Sequence, residues 1–156
     1  MISYNSIWLR RWLNRLALGL ALAVSLPAFA ADPINTTYFG NLAIEGYDTV
    51  AYFKDSQAVK GSKDFEYEWM DASWRFSSAE NLATFKADPE QYAPQYGGYC
   101  AYAVSQNSTA GIDPGQFTVH EGKLYLNYNK KIQTRWLGDR DNFIDAANHN
   151  WPGVLN

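Results

Sequence analysis

The sequence predicts a small α+β single domain, with antiparallel hairpins packed against short helices. Three observations carry that reading. Phe65-Glu66-Tyr67-Glu68-Trp69 alternates apolar and acidic residues, and Trp74-Arg75-Phe76 alternates again a short turn later. Phe117-Thr118-Val119-His120 and Lys123-Leu124-Tyr125-Leu126-Asn127 flank Glu121-Gly122, a two-residue turn typical of a hairpin. Between and after these pairs stand helix starts marked by Ser77, Asn129 and Asp139.

Taken in order, residues 1–30 read as a secretory signal peptide. Arg10, Arg11 and Arg15 form a cationic region, Leu16 to Leu26 is uncharged and apolar, and Ala28-Phe29-Ala30 fits a small-residue cleavage site. The apolar run is too short to span a bilayer comfortably. Export to a periplasm or to the exterior follows, with a mature chain starting near Ala31 and no later membrane span. Residues 31–45 read as a leader, unstructured through Thr37.

Thr49-Val50-Ala51-Tyr52-Phe53 is β-prone and predicts a strand. The next two runs form the first hairpin, turning at Asp71-Ala72-Ser73. Ser77 then opens a helix, with Glu80 completing a capping box and Leu82 and Phe85 as the buried stripe. Asp88-Pro89 ends it, because the residue before proline is pushed out of helical geometry. Pro89 to Tyr92 predicts a short turn and Pro94 to Gly98 a linker. Tyr99 to Val104 is a run whose apolar character predicts burial, and Gln106 to Gly115 is a polar loop. After the second hairpin, Asn129 caps a helix carrying Ile132 and Trp136. Asp139 caps another, with Phe143, Ile144 and Ala147 inward, ending before Trp151-Pro152.

Composition narrows function more than it names it. Without Arg10, Arg11 and Arg15, ten Lys and Arg face sixteen Asp and Glu, a net charge of −6. That balance disfavours nucleic acid and anionic lipid as partners. Aromatics reach 16%, enough to supply a core without staples. One cysteine excludes an intrachain disulfide, a multi-cysteine zinc site and a Cys-x-x-Cys exchange motif. No glycine-rich phosphate loop, His-Glu-x-x-His or Gly-x-Ser-x-Gly is present.

Cys100 is the focal residue, because a cysteine in an oxidising compartment usually pairs and this one has no partner in its chain. It is buried, metal-bound, bridged to a second copy, or held free for chemistry, and Gly97-Gly98 before it can set it at a helix N-terminus. Asp113 and His120 are candidate co-ligands for a soft metal such as copper or zinc. His120 is equally a candidate base for a Cys100 nucleophile. Tyr47, Asp48 and Tyr99 are candidate pocket residues, although an aspartate in Asp48's setting also caps turns. His149 lies near the end of the last helix, where a cation suits the helix dipole. A symmetric homodimer would bring two thiolates to one interface.

Gly46-Tyr47-Asp48-Thr49-Val50-Ala51-Tyr52-Phe53, Trp74-Arg75-Phe76-Ser77-Ser78, Asn81, Phe85, Asp88-Pro89 and Tyr92 occur in that order. Together they resemble a YHS domain over residues 46–92. Tyr96-Gly97-Gly98-Tyr99-Cys100-Ala101, Asp113-Pro114 and Gly122-Lys123-Leu124-Tyr125-Leu126-Asn127 resemble a longer, exported bacterial branch of that family. On this resemblance, residues 93–156 form an extension within the same domain. YHS domains accompany copper-transporting ATPases and some multicomponent monooxygenases, and commonly hold cysteines in the core. Here Ala51, Ser77 and Asn81 stand at such positions, and none supplies a thiolate. The resemblance therefore implies an exported, non-enzymatic binding module in cell-envelope metal or redox handling, centred on Cys100, whose partner is a metal ion or an envelope protein. A thiol-dependent enzyme using Cys100 and His120, and a structural interaction domain docking through an aromatic face, are the alternatives.

Overall fold

The computed structural model describes residues 31–156, and the predicted signal peptide lies outside them. Six helices and two antiparallel hairpins form one small α+β domain. The order is α1 (Thr49–Lys54), β1 (Ser62–Trp69), β2 (Ala72–Phe76), α2 (Ala79–Ala87), α3 (Pro89–Tyr92) and α4 (Ala101–Ser105). It continues through β3 (Asp113–His120), β4 (Lys123–Asn127), α5 (Lys130–Gly138) and α6 (Arg140–Asn150).

The segment predicted as the first strand is helix α1. Val50, Ala51 and Tyr52 are all buried, so the run is apolar on every side and shows no strand alternation. Asp48 decides the outcome by capping the helix, its Oδ1 accepting from the Val50 and Ala51 amides at 2.9 and 3.3 Å.

Both predicted hairpins form. In the first, Tyr67 pairs with Trp74 and Glu66 with Arg75, and the Arg75 Nε to Glu66 Oε2 distance is 2.7 Å. Its turn lies one residue earlier than expected, at Met70-Asp71 with φ of 50° and 56°, so Ala72 and Ser73 belong to β2. The expected capping box is also shifted. Ser78, not Ser77, accepts from the Asn81 amide, while Glu80 turns outward to Lys54. In the second hairpin Thr118 pairs with Tyr125 and His120 with Lys123, turning at Glu121-Gly122 as expected, although β3 begins inside the predicted loop. Asn129 caps α5 as expected, accepting from the Ile132 amide at 2.9 Å. Asp139 stands at the start of α6, but its carboxylate accepts from the Asn142 side chain rather than from a helix amide.

The core has two parts divided by β4. Leu124 and Leu126 join Val50, Tyr52, Trp74, Phe76, Phe85 and Cys100 in the first. Tyr125, on the opposite face of the strand, joins Tyr96, Tyr99, Val104, Trp136 and Ala147 in the second. This alternation joins residues 46–92 to the segment that follows them.

The predicted leader and linker are ordered and hold each other. Ile34 is buried, Thr36 bridges Ala43, and the Asn35 amide donates to the Gly97 carbonyl at 2.8 Å. The linker turns as a short 3₁₀ segment (Gln95–Gly98) with Gly97 at φ 59°. A Cβ there would stand 1.9 Å from the Pro33 oxygen, so the crossing of these two segments admits only glycine.

Candidate functional site

Cys100 is buried, 1% exposed, at the N-cap position of α4. Its backbone is fixed on three sides. The amide donates to the Ala110 carbonyl at 3.0 Å, the carbonyl accepts from the Val104 amide at 3.0 Å, and the residue bridges Leu126 in parallel. These bonds set Sγ 3.7 Å from Oδ1 of Asn127, the last residue of β4.

Asn127 is fully buried, and its Nδ2 has no hydrogen-bond partner. An unpaired buried amide nitrogen costs about 1–3 kcal/mol relative to a paired one. A core that needed only packing would place a leucine here, which has the same number of side-chain heavy atoms in a similar shape. The amide thus offers the thiol an acceptor through Oδ1 and holds two N–H donors in reserve beside it. Sequence reading missed Asn127, because asparagine closing a strand before Tyr128-Asn129 reads as a turn residue.

The other predicted site residues do not gather around Cys100. Asp113 is exposed and closes a local turn, its Oδ1 accepting from the Gly115 amide at 2.8 Å and its Oδ2 from Gln116 Nε2 at 3.3 Å. It pairs with Asn127 across the hairpin, so it is near the thiol in register, but it caps rather than coordinates. His120 pairs with Lys123 at the opposite end, four residues from Asn127 along β4, which is about 13 Å of strand. There its Nε2 stands 3.7 Å from Asp141 Oδ1, which also accepts from Arg140 Nε at 2.9 Å. His120 therefore reaches neither the thiol as a base nor a metal shared with it. Among the described residues, no three His, Cys, Asp or Glu side chains converge as a metal site.

Tyr47, Asp48 and Tyr99 likewise do not form one pocket. Tyr47 is half-buried, with Lys60 Nζ 4.5 Å from its ring centre. Asp48 is fully buried between α1 and α2 and is saturated. Besides the two α1 amides, its Oδ2 accepts from the Ser77 amide at 2.8 Å, Ser77 Oγ at 2.6 Å and Asn81 Nδ2 at 2.7 Å. It is a knot tying α1 to the start of α2. Ser77 and Asn81 spend their polar groups on this knot. Tyr99 packs in the second core and donates its hydroxyl to the Asp32 carbonyl at 2.8 Å.

An open groove has a volume of about 460 Å³. Trp69, Met70, Pro94, Tyr96, Trp151 and Pro152 are among its walls. Elsewhere on the surface, Tyr38 and Phe39 are 94% and 83% exposed and stack edge to face on a turn held by Thr37 Oγ1.

Four buried phenols give the fold a pH dependence of definite sign. Burial pushes the hydroxyls of Tyr52, Tyr96, Tyr99 and Tyr125 above the ordinary value of 10.0. Above pH 10 the unfolded chain releases phenol protons that the folded chain keeps, so stability is whole below that pH and falls as pH rises past it. In an alkaline titration, the phenolate absorbance of these four tyrosines will rise only together with loss of far-ultraviolet circular dichroism. Smooth ionisation of every tyrosine with the fold intact would contradict this.

No helix among the described residues is long and apolar enough to cross a membrane. No protein-family model, curated protein or solved structure matches this chain.

Proposed function

We propose that this chain is an exported YHS-type binding module that serves cell-envelope redox handling through Cys100. The observation that carries the reading is the contact between Cys100 Sγ and the amide of Asn127, inside a core where an apolar neighbour would be more stable. A thiol serving only as a small hydrophobe needs no such partner. The redox arm is favoured over the metal arm because the donor set around Sγ is one amide, and amides are poor ligands for copper(I) or zinc. A metal would need donors from a second copy of the chain or from a partner. A thiol-enzyme reading with His120 as base has no support, since that side chain sits at the far end of the hairpin.

A second reading has its own observation. The burial of Cys100, together with the exposed Tyr38-Phe39 pair and the aromatic groove, favours an interaction domain with a silent thiol.

One experiment separates the two. The full chain, leader included, is expressed in a Gram-negative host, and the periplasmic fraction is acid-quenched, alkylated and weighed intact. The expected result is a chain beginning near Ala31 that carries, in part of the population, an adduct removed by a thiol reductant and absent from Cys100→Ser. An adduct removed by a chelator instead would favour the metal arm. A wholly free thiol, alkylated only after unfolding, would overturn both arms in favour of the interaction domain.

A further inference from the structure

The redox reading leaves open what meets the thiol, and this inference rests on that reading. The orphan amide nitrogen of Asn127 narrows the choice. Sγ and Asn127 are both nearly or fully buried, so a bulky reagent meets the thiol only in wider and rarer local openings than a small one does. The segment bonded to the Cys100 backbone is different. Residues 106–112 are mostly polar or exposed, and Ala110 contributes the carbonyl bonded to the Cys100 amide. A local opening of such a segment admits a reagent close to water in size.

We infer that Cys100 is a site of oxidation by small hydroperoxides, and that Asn127 is its positioning residue, holding the thiol in the reduced state and the added oxygen in the oxidised state. In the reduced protein Oδ1 accepts from the thiol at 3.7 Å. The sulfur attacks one peroxide oxygen, the S–O bond forms as the O–O bond breaks, and two electrons pass from sulfur to the peroxide. The proton released by the thiol ends on the departing oxygen, giving water or an alcohol and a sulfenic acid. The new oxygen needs a donor in a dry place, and the two unpaired N–H groups of Asn127 Nδ2 supply one. Return requires a low-molecular-weight thiol, which condenses with the sulfenic acid to a mixed disulfide with loss of water. A second such thiol then releases Cys100 as S–H.

The test uses the purified mature protein, with hydrogen peroxide, cumene hydroperoxide and oxidised glutathione as probes and a sulfenic-acid trap read by intact mass. The expected result is trapping at Cys100 in the folded protein. Hydrogen peroxide should act at least tenfold faster than the bulky hydroperoxide. In Asn127→Leu the rate with hydrogen peroxide should fall at least tenfold, while the denaturation midpoint stays level or rises. That opposite movement of reactivity and stability is what a purely structural asparagine would not produce. If Asn127→Leu does not fold, Asn127→Ser, whose hydroxyl is too short to bridge to Sγ, carries the same comparison. An unchanged rate in the folded variant, or no preference for the smaller oxidant, would overturn the inference. Labelling by oxidised glutathione but not by hydrogen peroxide would overturn it while leaving the redox reading standing. Silence toward every reagent until the chain unfolds would end both.

Discussion

Asp48→Ala will leave the chain unable to hold its fold at ambient temperature, or stable by only a small residue. The substitution removes an acceptor from five donors at once, three of them backbone amides of Val50, Ala51 and Ser77. The other two are Asn81 Nδ2, which is buried beside the carboxylate, and Ser77 Oγ, at the exposed rim of the knot. Each buried donor left without an acceptor costs about 1–3 kcal/mol, and the Val50 and Ala51 amides and Asn81 Nδ2 are such donors, set against a whole-domain stability of about 5–15 kcal/mol. Urea denaturation followed by circular dichroism checks it. Asp48→Asn is the informative companion. It keeps Oδ1 for α1 but presents an amide to the three donors at Oδ2, so its midpoint will fall between wild type and Asp48→Ala. A loss below about 1 kcal/mol in Asp48→Ala, the range of an ordinary exposed cap, would refute the knot.

Phe85→Ala will have a comparable effect by a different route. Phe85 is fully buried and is the ring that others meet. Trp74 stacks on it at 5.0 Å between ring centres, Phe76 lies at 5.1 Å, Trp69 at 5.7 Å and Tyr67 at 6.4 Å. These four come from both strands of the first hairpin, so α2 is fastened to β1 and β2 through one side chain. Truncating a buried phenylalanine costs about 3–5 kcal/mol, because the cavity it leaves closes only partly. The indole of Trp74 also donates to the Trp69 carbonyl at 3.0 Å and is not free to slide into the void. Calorimetry will show a lowered transition, and near-ultraviolet circular dichroism will lose tryptophan signal before the transition begins. Phe85→Leu, which fills most of the space, will recover the larger part of the loss.

The legible parts of the fold were those with local chemistry. Glu121-Gly122, the alternation of residues 65–69 and Asn129 at the mouth of α5 each state their structure within a few residues. The first strand failed because Thr49 to Phe53 is apolar without period, and the deciding bonds come from Asp48 and from burial against distant segments. The leader failed because its order depends on Gly97, whose carbonyl receives the amide of Asn35 from 62 residues earlier. At the candidate site, Cys100 stood out by being the sole thiol, which composition reveals. Its partner did not, since Asn127 is defined by an unpaired nitrogen that exists only after the chain has folded. His120 and Asp113 were attractive as residue types, and the length of a single strand separates them.

The short segments that bridge the hairpins carry a further consequence, for self-association. A two-stranded hairpin presents two open rims, each a template on which another chain can add. Here Pro94 and Cys100 lie along the free side of β4, bridging Leu124 and Leu126, and Leu42 lies along β2 at Ser73, whose amide and carbonyl are taken by Asn41 and Ala43. The rims left over are β1, which carries Lys63, Asp64, Glu66 and Glu68, and β3, which begins with Asp113-Pro114. Charge and proline are what blunts strand addition. The irregular stretches flanking the helices therefore act as selvage, finishing the sheet margins against edge-to-edge strand addition.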